Sequence, residues 1–185
     1  NIDGEGKSKI DTPIGLLNHM LELFAFHGFF DLEIIAKGDS KKVDIHHTNE
    51  DIGIVLGQAF KKALGDKTGI KRNGFASIPM DDVVANVTVD ISGRGLYELN
   101  ADRSVVAPLE HHEGGYTFRD AEHLFDAFVK HLGMTLKIAV SSSKMSKDLH
   151  TTLEPIFKAL GIALDQATQI DPRRKGIPST KGVID

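Results

Sequence analysis

The residues most able to do chemistry are two short, similar strings. His46-His47-x-x-Glu50 and His150-Thr151-x-x-Glu154 each open a stretch with helical periodicity. On a helix, positions i and i+4 share one face, so His46 and Glu50 can approach one centre while His47 points elsewhere. Imidazoles with a carboxylate form a ligand set suited to manganese, iron or zinc. The order is not His-Glu-x-x-His, so a zinc-protease reading fails on spacing. His19 and His123, on the preceding predicted helices, are placed to supply further imidazoles. Asp44 and Asp148 stand just before each string, where they can cap the helix or orient a ligand histidine.

A single His-His at a helix start is usually a solvated cap. Here the pattern repeats in register. Shifting the chain by 104 residues, the spacing from His19 to His123, aligns residues 17–63 with 121–167 without a gap. The identities include His19/His123, Phe24/Phe128, His27/His131, Asp44/Asp148, His46/His150, Thr48/Thr152, Glu50/Glu154 and Gly57/Gly161. Such self-similarity marks an internal duplication. It makes the repeated histidines and glutamates candidate metal ligands.

The elements that must carry these residues can be read from pattern. Thr12-Pro13 signals a helix start, Ile14, Leu17, Leu21 and Phe24 share a face, and Gly28 is a stop. Residues 31–36 read as a strand and 46–64 as a second helix. Strands follow at 74–78 and 83–91 around a Pro79-Met80-Asp81-Asp82 turn; residues 107–117 read as a polar loop containing His111 and His112. A helix over 118–132, a strand over 134–140 and a helix over 150–169 repeat the first pattern. Each half therefore reads strand–helix–strand–helix. The expected fold is α+β: a two-layer sandwich of two tandem halves, 1–72 and 73–185, each a small sheet with two helices on one face, forming one compact unit. Asn1 to Gly6 matches only the end of the strand that enters the second half, so the first half reads as lacking its leading strand.

Composition narrows the function classes. The chain has 185 residues, 41% hydrophobic, with a formal charge of −4, nine histidines and no cysteine. The absence of cysteine removes disulfides, thiolate metal sites and thiol nucleophiles, and fits a reducing compartment. The net charge argues against a nucleic-acid footprint, and no apolar run nears the ~20 residues of a membrane span. Among the basic residues in turns, Arg94 between two glycines and Ser179-Thr180-Lys181-Gly182 near the C-terminus are the best anion-binding candidates. His27 and His131 fall at helix ends, where a histidine often serves the dipole.

Taken together, Thr12-Pro13-Ile14-Gly15-Leu16-Leu17-Asn18-His19-Met20-Leu21, Asp44 to Asp51, Pro79-Met80-Asp81-Asp82, Asp90-Ile91-Ser92-Gly93-Arg94 and Ile177 to Val183 resemble the imidazoleglycerol-phosphate dehydratase family, in its motif order and over essentially the whole chain. The resemblance implies loss of water from imidazole glycerol phosphate to give imidazole acetol phosphate in histidine biosynthesis, in the cytoplasm. It implies two Mn(II) ions per active site and a shell of twenty-four chains. Metal ligands would be His19, His46, His47, Glu50, His123, His150 and Glu154, with His46, His47, Glu50, His150 and Glu154 also acting catalytically. Substrate contacts would be His19, His27, Arg72, Arg94, Ser179 and Lys181. Three departures stand out: Thr151 replaces the second histidine of the second string, Ser146-Lys147-Asp148 replaces Gly-x-Asn, and the family's leading Arg-x-Thr-x-Glu-Thr strand is not in this sequence. Rival readings are a catalytically silent metal-binding paralogue and a metallohydrolase of phosphate esters.

Overall fold

The computed structural model describes residues 1–38, 44–101, 112–142 and 148–184. Six strands and four helices are described in the order β1 (Ser8–Asp11), α1 (Gly15–His27), β2 (Leu32–Ile35), α2 (His46–Leu64), β3 (Asn73–Met80), β4 (Val83–Asp90), β5 (Leu96–Ala101), α3 (Phe118–Leu132), β6 (Thr135–Ser142) and α4 (Leu149–Thr168).

The alternation in β4 explains its place. Val83, Ala85, Val87 and Val89 are buried while Asn86 and Thr88 are exposed, the signature of a strand with one face on the core. A tight turn through Asp81, whose φ of 51° is left-handed, folds β3 back on β4. β6 adds antiparallel to β4, with Val87 opposite Ile138 and Val89 opposite Leu136, and β5 adds parallel to β6. The resulting sheet has the order β3-β4-β6-β5. A second sheet pairs β1 and β2 in parallel, Ile10 opposite Ile34. This is the expected α+β class with helices set against small sheets.

The helices pair across the duplication: α2 packs on α3, and α1 on α4. The repeated glycines show why. A Cβ on Gly57 would lie 2.5 Å from the Phe128 carbonyl oxygen, and one on Gly161 would lie 2.5 Å from that of Phe24. Only glycine allows those backbones to approach so closely. One hydrophobic cluster joins both halves, from Leu17, Phe24 and Phe60 to Phe128, Leu136 and Phe157. Its burial is the main source of stability.

Three local readings change. Helix α1 begins at Gly15 after an N-cap at Ile14 that makes no side-chain cap bond. Thr12 instead accepts from the Ile14 N–H at 3.1 Å and donates to the Asn18 amide oxygen at 2.6 Å, a turn rather than a cap. Strands β1 and β5 are additions to the expected set. The 107–111 part of the expected polar loop, with His111, and Ser146-Lys147 lie outside the described residues.

Candidate metal centre

Each His-x-x-x-Glu string opens a helix as its periodicity requires. Asp44 accepts from the His46 N–H at 2.8 Å, and Asp148 from the His150 N–H at 3.0 Å. These bonds satisfy donors that a helix start leaves open, and they fix where each histidine leaves the backbone.

The cross-half helix pairing then decides which residues meet. His19 on α1 joins His150 and Glu154 on α4. Glu154 Oε2 lies 2.8 Å from His150 Nε2 and 3.6 Å from His19 Nε2, and the two rings stack with centroids 5.0 Å apart. One ligand atom from each residue falls within 4.8 Å of the others, the only such convergence of three histidines or carboxylates among the described residues. Reciprocally, His123 on α3 joins His46 and Glu50 on α2. His46 Nδ1 faces His123 Nδ1 at 3.1 Å, while its Nε2 faces Glu50 Oε2 at 3.8 Å. The ring of His46 is thus turned between its two neighbours, and these three side chains adjoin without converging on one point. Each cluster takes one histidine from one half and a His-x-x-x-Glu string from the other.

Glu154 is largely enclosed. Burial alone would raise its carboxyl, but hydrogen bonds from Lys158 (2.5 Å) and His150 outweigh that and hold it below the usual carboxylate range. Glu154 is therefore an anion near neutral pH, the form a cation binds. Lys158 was not anticipated from the sequence, although Glu followed by Lys at i+4 is a recognisable pair. His27 stands near the same charges; its imidazole is held below its ordinary value by burial first and then by Lys158. Glu113 Oε2 approaches the other ring nitrogen of His150 at 3.9 Å.

His47 is exposed and turns from the His46–His123 contact into a cleft of about 640 Å³ between β2 and α2. Its counterpart Thr151 donates to Asp148 Oδ2 at 2.7 Å. His131 bonds the Ala127 carbonyl within its own helix at 2.8 Å, and His112 is exposed.

The candidate anion contacts form a separate group. Arg72, in a left-handed conformation (φ 74°), sends its guanidinium to both oxygens of Asp90, at 2.6 and 3.0 Å, and to the Pro178 carbonyl at 2.9 Å. That contact ties the segment bearing Ser179 to the end of β4. Lys67 assists with a 3.4 Å bond to the Ile184 carbonyl. Ser179 accepts from the Lys181 N–H at 3.2 Å, and Arg94 and Lys181 are exposed. Among the described residues, no hydrogen bond or ion pair joins Arg94, Ser179 or Lys181 to either histidine cluster.

Comparison with known proteins places the chain in a family. The imidazoleglycerol-phosphate dehydratase family matches residues 12–164. The protein of that name from Pelobacter propionicus is 46% identical over 100% of this chain and 90% of its own length, and that from a Thermoanaerobacter species 48% identical over the same shares. Two solved structures are similar: the dehydratase of Staphylococcus aureus at 38% identity and TM-score 0.78, covering 91% of each chain, and that of Pyrococcus furiosus at 34% and 0.78, covering 96% of this chain and 90% of its own. On family match, identity and fold alike, the chain belongs to the imidazoleglycerol-phosphate dehydratase family.

Proposed function

We propose that the two histidine–carboxylate clusters are the machinery of the family's reaction in this chain. That reaction is dehydration of imidazole glycerol phosphate in histidine biosynthesis, and the chain is a hydro-lyase acting in it. The observation that carries the site assignment is the convergence of His19, His150 and Glu154.

The donors fit divalent manganese. Imidazole and carboxylate ligands suit Mn(II), and the ionised Glu154 supplies charge neutralisation. His19, His150 and Glu154 would hold one ion, and His46, Glu50 and His123 the other, with His47 presented outward on α2 toward further ligation. When bound, the metal would supply Lewis-acid chemistry, withdrawing electrons from ring nitrogens and hydroxyl oxygens.

The balance of the reaction sets what the chain's residues must do. The C–O bond on the carbon attached to the ring breaks, a proton leaves the neighbouring carbinol carbon, and the enol so formed becomes the ketone. His27, kept neutral by burial and by Lys158, is suited to accept a proton beside the Glu154 cluster. Lys158 holds one oxygen of Glu154, leaving Oε2 turned toward His19 and His150. Ser179, Lys181 and Arg94 would bind the phosphate, and Arg72 braces the Ser179 segment through Pro178.

The reading extends to assembly into a shell of about twenty-four chains and to action in the cytoplasm, both in keeping with the family resemblance. No described helix is long and apolar enough to cross a membrane. Metal analysis with a turnover assay tests the whole. Two manganese ions per chain with water loss are expected. One metal and no turnover would support a silent paralogue, and phosphate release without water loss a hydrolase.

A further inference from the structure

α2 and α3 each contribute one imidazole to the His46–His123 contact, so whatever fixes one helix against the other fixes that contact. Asn49 does so in the same turn as His46 and Glu50. It has no exposed surface; its side-chain N–H donates to the Asp120 carbonyl at 2.7 Å and its oxygen accepts from the Tyr116 hydroxyl at 3.0 Å. Asp120 is one helical turn before His123. Tyr116 is also fully buried, and burial pushes its hydroxyl well above the ordinary phenol range, which keeps it a donor. A buried amide and phenol are tolerated only when bonded, and such bonds are directional where apolar packing is not.

The duplication supplies an internal comparison. At the positions matching Asn49, Asp120 and Tyr116 stand Leu153, Leu16 and Thr12. Leu153 and Leu16 are buried members of the hydrophobic core, so the α1–α4 junction behind His19, His150 and Glu154 is apolar at that point. The two halves hold their clusters by different means.

We propose that Asn49, held by Tyr116 and the Asp120 carbonyl, is a positioning residue that sets divalent-cation affinity at His46, Glu50 and His123, with no equivalent at the other cluster. This rests on the metal-ligand reading above.

The test is Mn(II) titration by calorimetry on the assembled protein in two backgrounds. Glu154→Gln leaves the His46 cluster to report, and Glu50→Gln leaves the His19 cluster. Asn49→Leu installs the duplicate's own residue, and the Asn49→Leu/Tyr116→Phe pair also removes the hydroxyl that would be stranded. The pair is expected to weaken binding about tenfold or more in the Glu154→Gln background, in the range for residues that orient ligands, and less than about twofold in the other. Tyr116→Phe alone keeps the Asp120 bond and should move affinity in the same direction by less. Equal weakening in both backgrounds, or none in the first, overturns the inference while leaving the ligand assignment intact. A Glu154→Gln protein that binds no Mn(II) overturns the ligand assignment, and the inference with it.

Discussion

His46 and His123 face each other Nδ1 to Nδ1 at 3.1 Å, although 77 residues separate them. The pairing of α2 with α3 therefore brings the two ring nitrogens together with no movement of either helix. At the other cluster, the nearest pair is His150 and Glu154 at 2.8 Å, within one helix. Both clusters span two helices, but the shortest contact runs between helices in one and within α4 in the other.

If His46 and His123 serve one ion, removing either removes most of what both do. His46→Ala and His123→Ala should each lower kcat/KM by on the order of 100-fold or more, since a metal's Lewis-acid contribution is several kcal/mol. The double variant should lose little beyond the worse single one. Multiplying losses in steady-state kinetics would show that the two act separately.

Thr151 breaks the duplication at the position of His47. Thr151→His restores an imidazole at the start of α4 and gives up the 2.7 Å bond to Asp148. The expected stability cost is about 0.5–1.5 kcal/mol by urea denaturation. The expected gain is about tenfold in affinity for one of two Mn(II) ions, read by the free-ion electron paramagnetic resonance signal. Unchanged affinity would mean that position 151 is no ligand position here.

Much of the frame was legible in the sequence. α2 and α3 have the bounds that periodicity set, and α3 also carries a capping box between Thr117 and Asp120. β1 was not legible because Ser8, Lys9 and Asp11 are exposed and carry no apolar alternation; its pairing partner β2 lies beyond α1. β5 has the same origin, an exposed Leu96 and a parallel partner across α3. At the site, the in-register repeat identified the histidines and glutamates, yet it says nothing about which half answers which. That pairing follows from the close crossings at Gly57 and Gly161. Asn49 and Tyr116 were missed because their bond spans 67 residues and Asn49 has no counterpart in the repeat.

His27 gives a pH prediction with a definite sign. Its folded-state pKa lies below the ordinary value, chiefly through burial and secondarily through Lys158. The folded chain therefore binds this proton less readily than the unfolded one. The associated stability is fully present above the unfolded value near 6.5 and is lost as pH falls through the folded value. In metal-free protein, His27→Gln should make the thermal midpoint fall less between pH 7.5 and 5 than in the parent chain. A parallel fall in both would place the acid sensitivity elsewhere.

Arg72 and Asp90 offer the sharpest test of how the segment bearing Ser179 is held. The guanidinium binds both carboxylate oxygens and, through the Pro178 carbonyl, the residue before Ser179. Both side chains are mostly covered, so solvent screens the pair less than a surface bridge. Lysine keeps the charge but cannot make three planar contacts at once. Arg72→Lys should therefore cost about 1–3 kcal/mol in urea denaturation. If the brace matters for substrate, it should raise KM for imidazole glycerol phosphate more than it lowers kcat, because the contact shapes the binding segment and touches neither cluster. Asp90→Asn should show the same split more weakly, since one acceptor oxygen remains. A variant that loses kcat with KM unchanged would move Arg72 from bracing the tail to the reaction itself.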